Sequence, residues 1–317
     1  GASPAYGHRI KDAANTFPYA YQSAATSAGI HVQAFNVAAN GQFVGDYLVL
    51  EKRLLPDADI VFVQLTYHTF SPAGRTGLRI RYPELPMVLG VGLTPADASL
   101  LGLSPSGDAS AGVQTPVALD GALTRWWTLW RERGLIDRRM FGGSPRAAIG
   151  GVFDKLTGTQ AASRPASVTT LPADAADDGF ASFDTLDPGA QMVVVARYAE
   201  ASSFTIDPAD SEVVALDRLA ADIAAAHKKA VFYMGPLNRS VVDSFQLIDP
   251  AQYARNIGLL RGTVGRHGFP LIDHNTGSGA LPGADFADIS HTTDAGGSAF
   301  GQLLFKDTLS YLRSAAP

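Results

Sequence analysis

Asp59-Ile60-Val61-Phe62-Val63-Gln64-Leu65 is the stretch on which the fold turns. A run this short, made mostly of β-branched and aromatic residues, reads as a strand buried in a sheet. Working outward, Phe43 to Leu55 carries apolar residues at helical spacing, Ile30 to Val37 alternates as a strand, and Phe17 to Ala28 reads as a helix. Downstream, Met192-Val193-Val194-Val195-Ala196 is a second buried run. Ser211 to His227 is an amphipathic helix, and Ala230-Val231-Phe232-Tyr233-Met234 is a strand that stops at Gly235-Pro236. Tyr253 to His267 predicts a helix, Pro270 to Asp273 a short strand, and Ser298 to Arg313 a closing helix. Strands spaced by helices imply an α/β protein whose parallel sheet is covered on both faces. Ligands of such sheets sit at the carboxyl ends of the strands. Gly41, Thr66–Thr69, Pro236–Asn238 and the loop before His291 fall there.

Residues 74–189 break this rhythm. They are rich in Pro, Gly, Ser and Ala, and long parts read as loop. The expected organisation is an α/β domain of residues 1–73 and 190–317, with 74–189 as a partly helical insertion over the site. An amphipathic helix around Thr124–Arg131 holds all three tryptophans of the chain, with Trp126 and Trp130 on one face and Trp127 on another. Trp126 and Trp130 offer flat apolar rings on which a sugar stacks, or they pack the core of a small helical subdomain.

At 317 residues the chain buries a sizeable core. Hydrophobic residues make up 46% and charged residues 17%, the balance of an ordinary globular protein. The net charge is −5 with no long basic run, which argues against a nucleic-acid partner. There is no cysteine, so disulfides, thiolate metal sites and a cysteine nucleophile are excluded. His8, His31, His227 and His267 lack metal-ligand spacing, so neither a metal site nor a cofactor is expected. Gly90-Val91-Gly92 is not a dinucleotide fingerprint, since the third glycine is missing.

Chemistry gathers at the two ends of the chain. Asp288-Ile289-Ser290-His291 places an acid three residues before a base. In a hydrolytic triad the base takes a proton from a hydroxyl, and the acid fixes the imidazole tautomer and stabilises its charged form. The opening Gly1-Ala2-Ser3-Pro4-Ala5-Tyr6-Gly7 supplies a serine with a glycine four residues on. Asp273, at a strand end, is an alternative acid.

These two blocks resemble those of the SGNH (GDSL-type) hydrolase superfamily, whose first block is G-D-S-x-x-x-G and whose last is D-x-x-H. The resemblance implies a flavodoxin-like three-layer α/β fold with a parallel sheet. It makes Ser3 the nucleophile, His291 the general base and Asp288 its partner. The family's second block, a glycine after a strand, is similar to Asn36-Val37-Ala38-Ala39-Asn40-Gly41, which puts the Gly41 amide in an oxyanion hole with the amide of Ser3; a plain turn glycine is the other reading. The third block, G-x-N-D, is replaced by Thr66-Tyr67-His68-Thr69, so His68 stands where the family has its oxyanion-binding asparagine. His68 then either donates in its place or is a structural histidine at a strand end. This departure is similar to divergent members such as alginate-type polysaccharide O-acetyltransferases and the D-alanyl transfer protein of teichoic acid synthesis. The family's first strand precedes its serine; it is expected upstream of Gly1, together with a membrane anchor, unless another strand takes its place or the opening residues, Ser3 included, are not part of the natural protein.

The function so implied is serine-dependent acyl transfer on a cell-envelope or exopolysaccharide, as O-acyltransferase or acetylesterase, in a periplasmic setting. Tyr67, Asn238, Trp126 and Trp130 are the expected substrate contacts, and membrane-bound polysaccharide synthesis proteins the expected partners. The alternative is an inactive SGNH domain that binds glycan or scaffolds a synthesis complex.

Overall fold

Strand β1, Ile60–Leu65, runs parallel to β2, Lys229–Met234, over its whole length, from Ile60 opposite Lys229 to Leu65 opposite Met234. Strand β3, Leu271–Ile272, continues the parallel order on the far side of β2. The computed structural model describes residue 5 and residues 9–39, 41–72, 79–103, 182–199 and 203–313, without the side chains of 197 and 278. Of the two units into which the chain divides, all of these belong to that of residues 1–104 and 178–317.

The helices of the described residues are α1 (Phe17–Ser27), α2 (Val44–Leu54), α3 (Leu85–Leu89), α4 (Pro95–Leu100) and α5 (Pro188–Ala199). They continue with α6 (Ser211–Ala225), α7 (Arg239–Ser244), α8 (Pro250–Gly265) and α9 (Asp294–Arg313). None is long and apolar enough to cross a membrane.

Strand residues alternate between two cores, as a period of two requires. Val63, Leu65, Phe232, Met234 and Leu271 pack with Leu48 and Val49 of α2, Leu216 and Leu219 of α6, and Ile257 and Leu260 of α8. Phe62, Tyr233 and Ile272 face Phe17 and Tyr21 of α1 and Phe300 and Leu304 of α9. On that second face Phe17 meets Tyr233 and Phe300 edge-on, at centroid distances of 5.7 and 5.4 Å. The chain is therefore α/β, a small parallel sheet with helices on both faces. Ile80, Leu101 and Phe183, all within 74–189, belong to the first core.

Two expectations are corrected. Residues 30–37 are not a strand: they form no ladder, and Phe35 and Val37 are 77% and 49% exposed. Their alternation is that of a strand, but a ladder needs a partner backbone, and none of the described strands pairs with them. Met192–Ala196 lies in helix α5, with Met192 53% and Val193 40% exposed. A short apolar run is ambiguous by periodicity alone, and here the local start signal decides it. Asp187 Oδ1 accepts from the amides of Gly189 and Ala190, and Pro188 follows it at the first helical position.

Candidate functional site

Asp288 and His291 sit in a tight loop at the carboxyl-end side of the sheet. The loop is closed by main-chain bonds: Ala287 N–H donates to His291 O at 2.8 Å, and Thr293 N–H to Asp285 O at 2.9 Å. Phe286 and Thr292 form an antiparallel bridge. Within it Asp288 Oδ1 accepts from the amides of Ser290 and His291, both at 2.8 Å, while Oδ2 lies 2.6 Å from His291 Nδ1.

Burial pushes the Asp288 carboxyl up, but the His291 ring and the two amides outweigh it and hold the group below its ordinary value. The carboxylate is then ionised at neutral pH and can only accept. Nδ1 must therefore carry a proton, so that the neutral ring is the tautomer with its lone pair on Nε2, the arrangement of a general base oriented by an acid.

Three further groups complete the cluster. His68 lies in the turn Tyr67–Phe70 that follows β1. Burial, with His291 nearby, depresses its imidazole to about 3, so it is neutral at physiological pH. Among the described residues its side chain makes no hydrogen bond. Tyr198, near the end of α5, meets the His68 ring edge-on at a centroid distance of 6.0 Å, and its hydroxyl lies 3.1 Å from Ser290 Oγ. Asn238, at the exit of β2, donates its main-chain N–H to Ile289 O at 2.8 Å, between the acid and the base.

The structure thus brings Asp288, His291 and His68 together. Two expected substrate contacts, Tyr67 and Asn238, are buried. Tyr67 is 2% exposed, with its hydroxyl accepting from Asn256 Nδ2 at 2.8 Å and its ring against Phe204 and Tyr253, so it belongs to the floor beneath the site. Asn238 is 0% exposed: its side chain accepts from Ser240 Oγ and the Val241 amide, capping α7. Asp273 is engaged elsewhere, accepting from Tyr253 OH and the Asn275 amide, both at 3.0 Å. Gly41 has a φ of +73°, a conformation that favours glycine, in the turn before α2. Ser3, Trp126 and Trp130 lie outside the described residues. Among the described residues no three His, Asp or Glu side chains are placed to hold a metal ion.

No family model, curated protein or solved structure matches the chain. The cluster therefore has to be read from its own chemistry. Sequence reading misses Tyr198, which follows a short apolar run whose period does not separate helix from strand; Asp187-Pro188 is the signal that marks the helix. It also missed Asn275, a buried residue with no motif around it.

Proposed function

We propose that this chain is a serine-dependent acyl-transfer enzyme of the SGNH type, with a flavodoxin-like fold. The observation that carries the reading is the Asp288–His291 pair, a 2.6 Å contact to a carboxylate locked by two amides. In the proposed reaction Ser3 Oγ bonds to the ester carbonyl carbon while its proton passes to Nε2 of His291. The tetrahedral intermediate then expels the alcohol, which takes that proton, and leaves the acyl group on Ser3. Water or a sugar hydroxyl attacks next, again giving its proton to His291, and Ser3 is restored.

Neutral His68, with the amides of Ser3 and Gly41, holds the oxyanion; a neutral imidazole donates without placing a second positive charge beside His291. Ala5, two residues after Ser3 in the sequence, donates its N–H to Gln64 Oε1 at 3.2 Å, near the carboxyl end of β1, the strand end that His68 follows.

A cell-envelope or exopolysaccharide in the periplasm is the proposed donor or acceptor of the acyl group, with membrane-bound synthesis proteins as partners. The test is turnover of an activated acetyl ester. Ser3→Ala and His291→Ala should each lower it by about 10³-fold or more, and the double variant should fall little further, since members of a triad act as a unit. Additive losses, or none, would contradict the reading.

A further inference from the structure

The loop that carries Asp288 and His291 is held from behind by a chain of buried asparagines. Asn275, just past β3, is 2% exposed and uses its whole side-chain amide. Its Oδ1 accepts from the Leu237 amide at 2.6 Å, and its Nδ2 donates to Gly235 O at 3.0 Å and to Tyr253 OH at 3.1 Å. The backbone of 235–237, where β2 exits, is thereby pinned to the exit of β3.

The next residue is Asn238, whose N–H reaches Ile289 O, and whose side chain fixes its own backbone by capping α7. Gly283 closes the same contact from the other side. A Cβ there would lie 2.3 Å from Ser240 Oγ and 3.4 Å from Asn238 Oδ1, so a side chain at this position would have to displace the Ser240 hydroxyl from the cap. One continuous path therefore runs from Asn275 through Leu237 and Asn238 to Ile289, between the acid and the base.

We infer that Asn275 is a positioning residue for the Asp288–His291 pair, acting through Leu237, Asn238 and Ile289. It touches neither His291 nor any group proposed to react. Its effect is to set the backbone from which the 2.6 Å contact is made, and a misplacement of a catalytic group by an ångström is enough to cost orders of magnitude in rate. The inference rests on the proposed role of His291 for its catalytic meaning, but its geometry can be read without any reaction.

The test is proton NMR of the full chain, following the His291 Nδ1–H resonance, assigned by its loss in Asp288→Asn. In Asn275→Ala this proton should exchange with solvent at least about tenfold faster, because the Leu237 amide and the Gly235 carbonyl lose their partner, Tyr253 OH keeps only Asp273, and the loop opens more often. Asn275→Asp, which keeps the acceptor for Leu237 N–H, should fall between that variant and the parent. Val264→Ala, a core change in α8 remote from the path, serves as the control for general loosening. Exchange in Asn275→Ala no faster than in Val264→Ala would overturn the inference. A Ser3 that proves unreactive would refute the acyl-transfer reading alone and leave this measurement standing.

Discussion

His68 shows how one residue's surroundings set its chemistry. An imidazole that stays neutral down to about 3 in the folded chain, against an ordinary value of 6.5, makes folding pH-dependent. Between those values the unfolded chain takes up a proton that the folded chain refuses, so stability falls as pH drops below 6.5, by up to roughly 1.4 kcal/mol per pH unit. His68→Gln, which keeps a donor but cannot titrate, should flatten this acid limb in a series of thermal melts from pH 7 to 4. An unchanged limb would mean that His68 is not held neutral by its site. Asp288 acts with the same sign for a different reason. Its folded value is depressed, so the stability it gives above the ordinary carboxylate range is lost as pH falls through the folded value. The His68 variant is therefore compared with the parent chain, in which Asp288 is the same.

At the scale of elements, helix α9 supports the dyad loop through glycine contacts. A Cβ on Gly296 would stand 2.1 Å from Asp285 O, the carbonyl that receives the Thr293 amide. Gly258 in α8 is the contrasting case, exposed and with nothing within 4 Å of an added Cβ. Gly296→Ala should destabilise by about 1–3 kcal/mol, as overpacking does, and should slow ester turnover by shifting the loop. Gly258→Ala should stabilise by about 0.5–1 kcal/mol through helix propensity and leave turnover alone. Denaturant melts of both, with turnover measured alongside, check this; equal effects from the two would sink the argument. Elements were legible where a local signal agreed with the period. Ile60–Leu65 is found where its β-branched run predicts it. Residues 30–37 carry the right alternation, but pairing is non-local, and a strand pattern does not contain its partner. Within the dyad loop, the Asp288–His291 spacing is weak by itself and draws its weight from the serine block at the other end of the chain. The supports at Asn275 and Tyr198 come from elements far away in sequence.

Across the whole molecule, three helices meet at a partly buried charge cluster on the side of the first core. Lys52 Nζ of α2 lies 3.3 Å from Asp97 of α4, 3.8 Å from Asp222 of α6 and 3.9 Å from Glu51 of its own helix, and Arg218 Nε lies 3.0 Å from Asp222. Burial, then the Asp222 charge, raises the Glu51 carboxyl to about 7. The folded chain thus holds a proton that the unfolded chain releases above its ordinary 4.5. The stability from this proton is full below 4.5 and is lost as pH rises through 7. Glu51→Gln should remove that fall between pH 5 and 8, which a pH series of melting temperatures reads directly; a parent chain whose stability does not decline there would contradict the assignment. The cluster carries no sequence motif, since its five residues come from three separated segments, and only the packed fold assembles them.

The central claim, that Ser3 and His291 share one proton path, is tested most directly by a covalent probe. The full chain is treated with a fluorophosphonate and the adduct located by mass spectrometry of its peptides, for the parent and for His291→Ala. The account expects a single adduct on Ser3 in the parent, with labelling slowed by orders of magnitude when His291 is removed. An adduct on another residue, no adduct, or labelling of Ser3 that does not depend on His291 would contradict it.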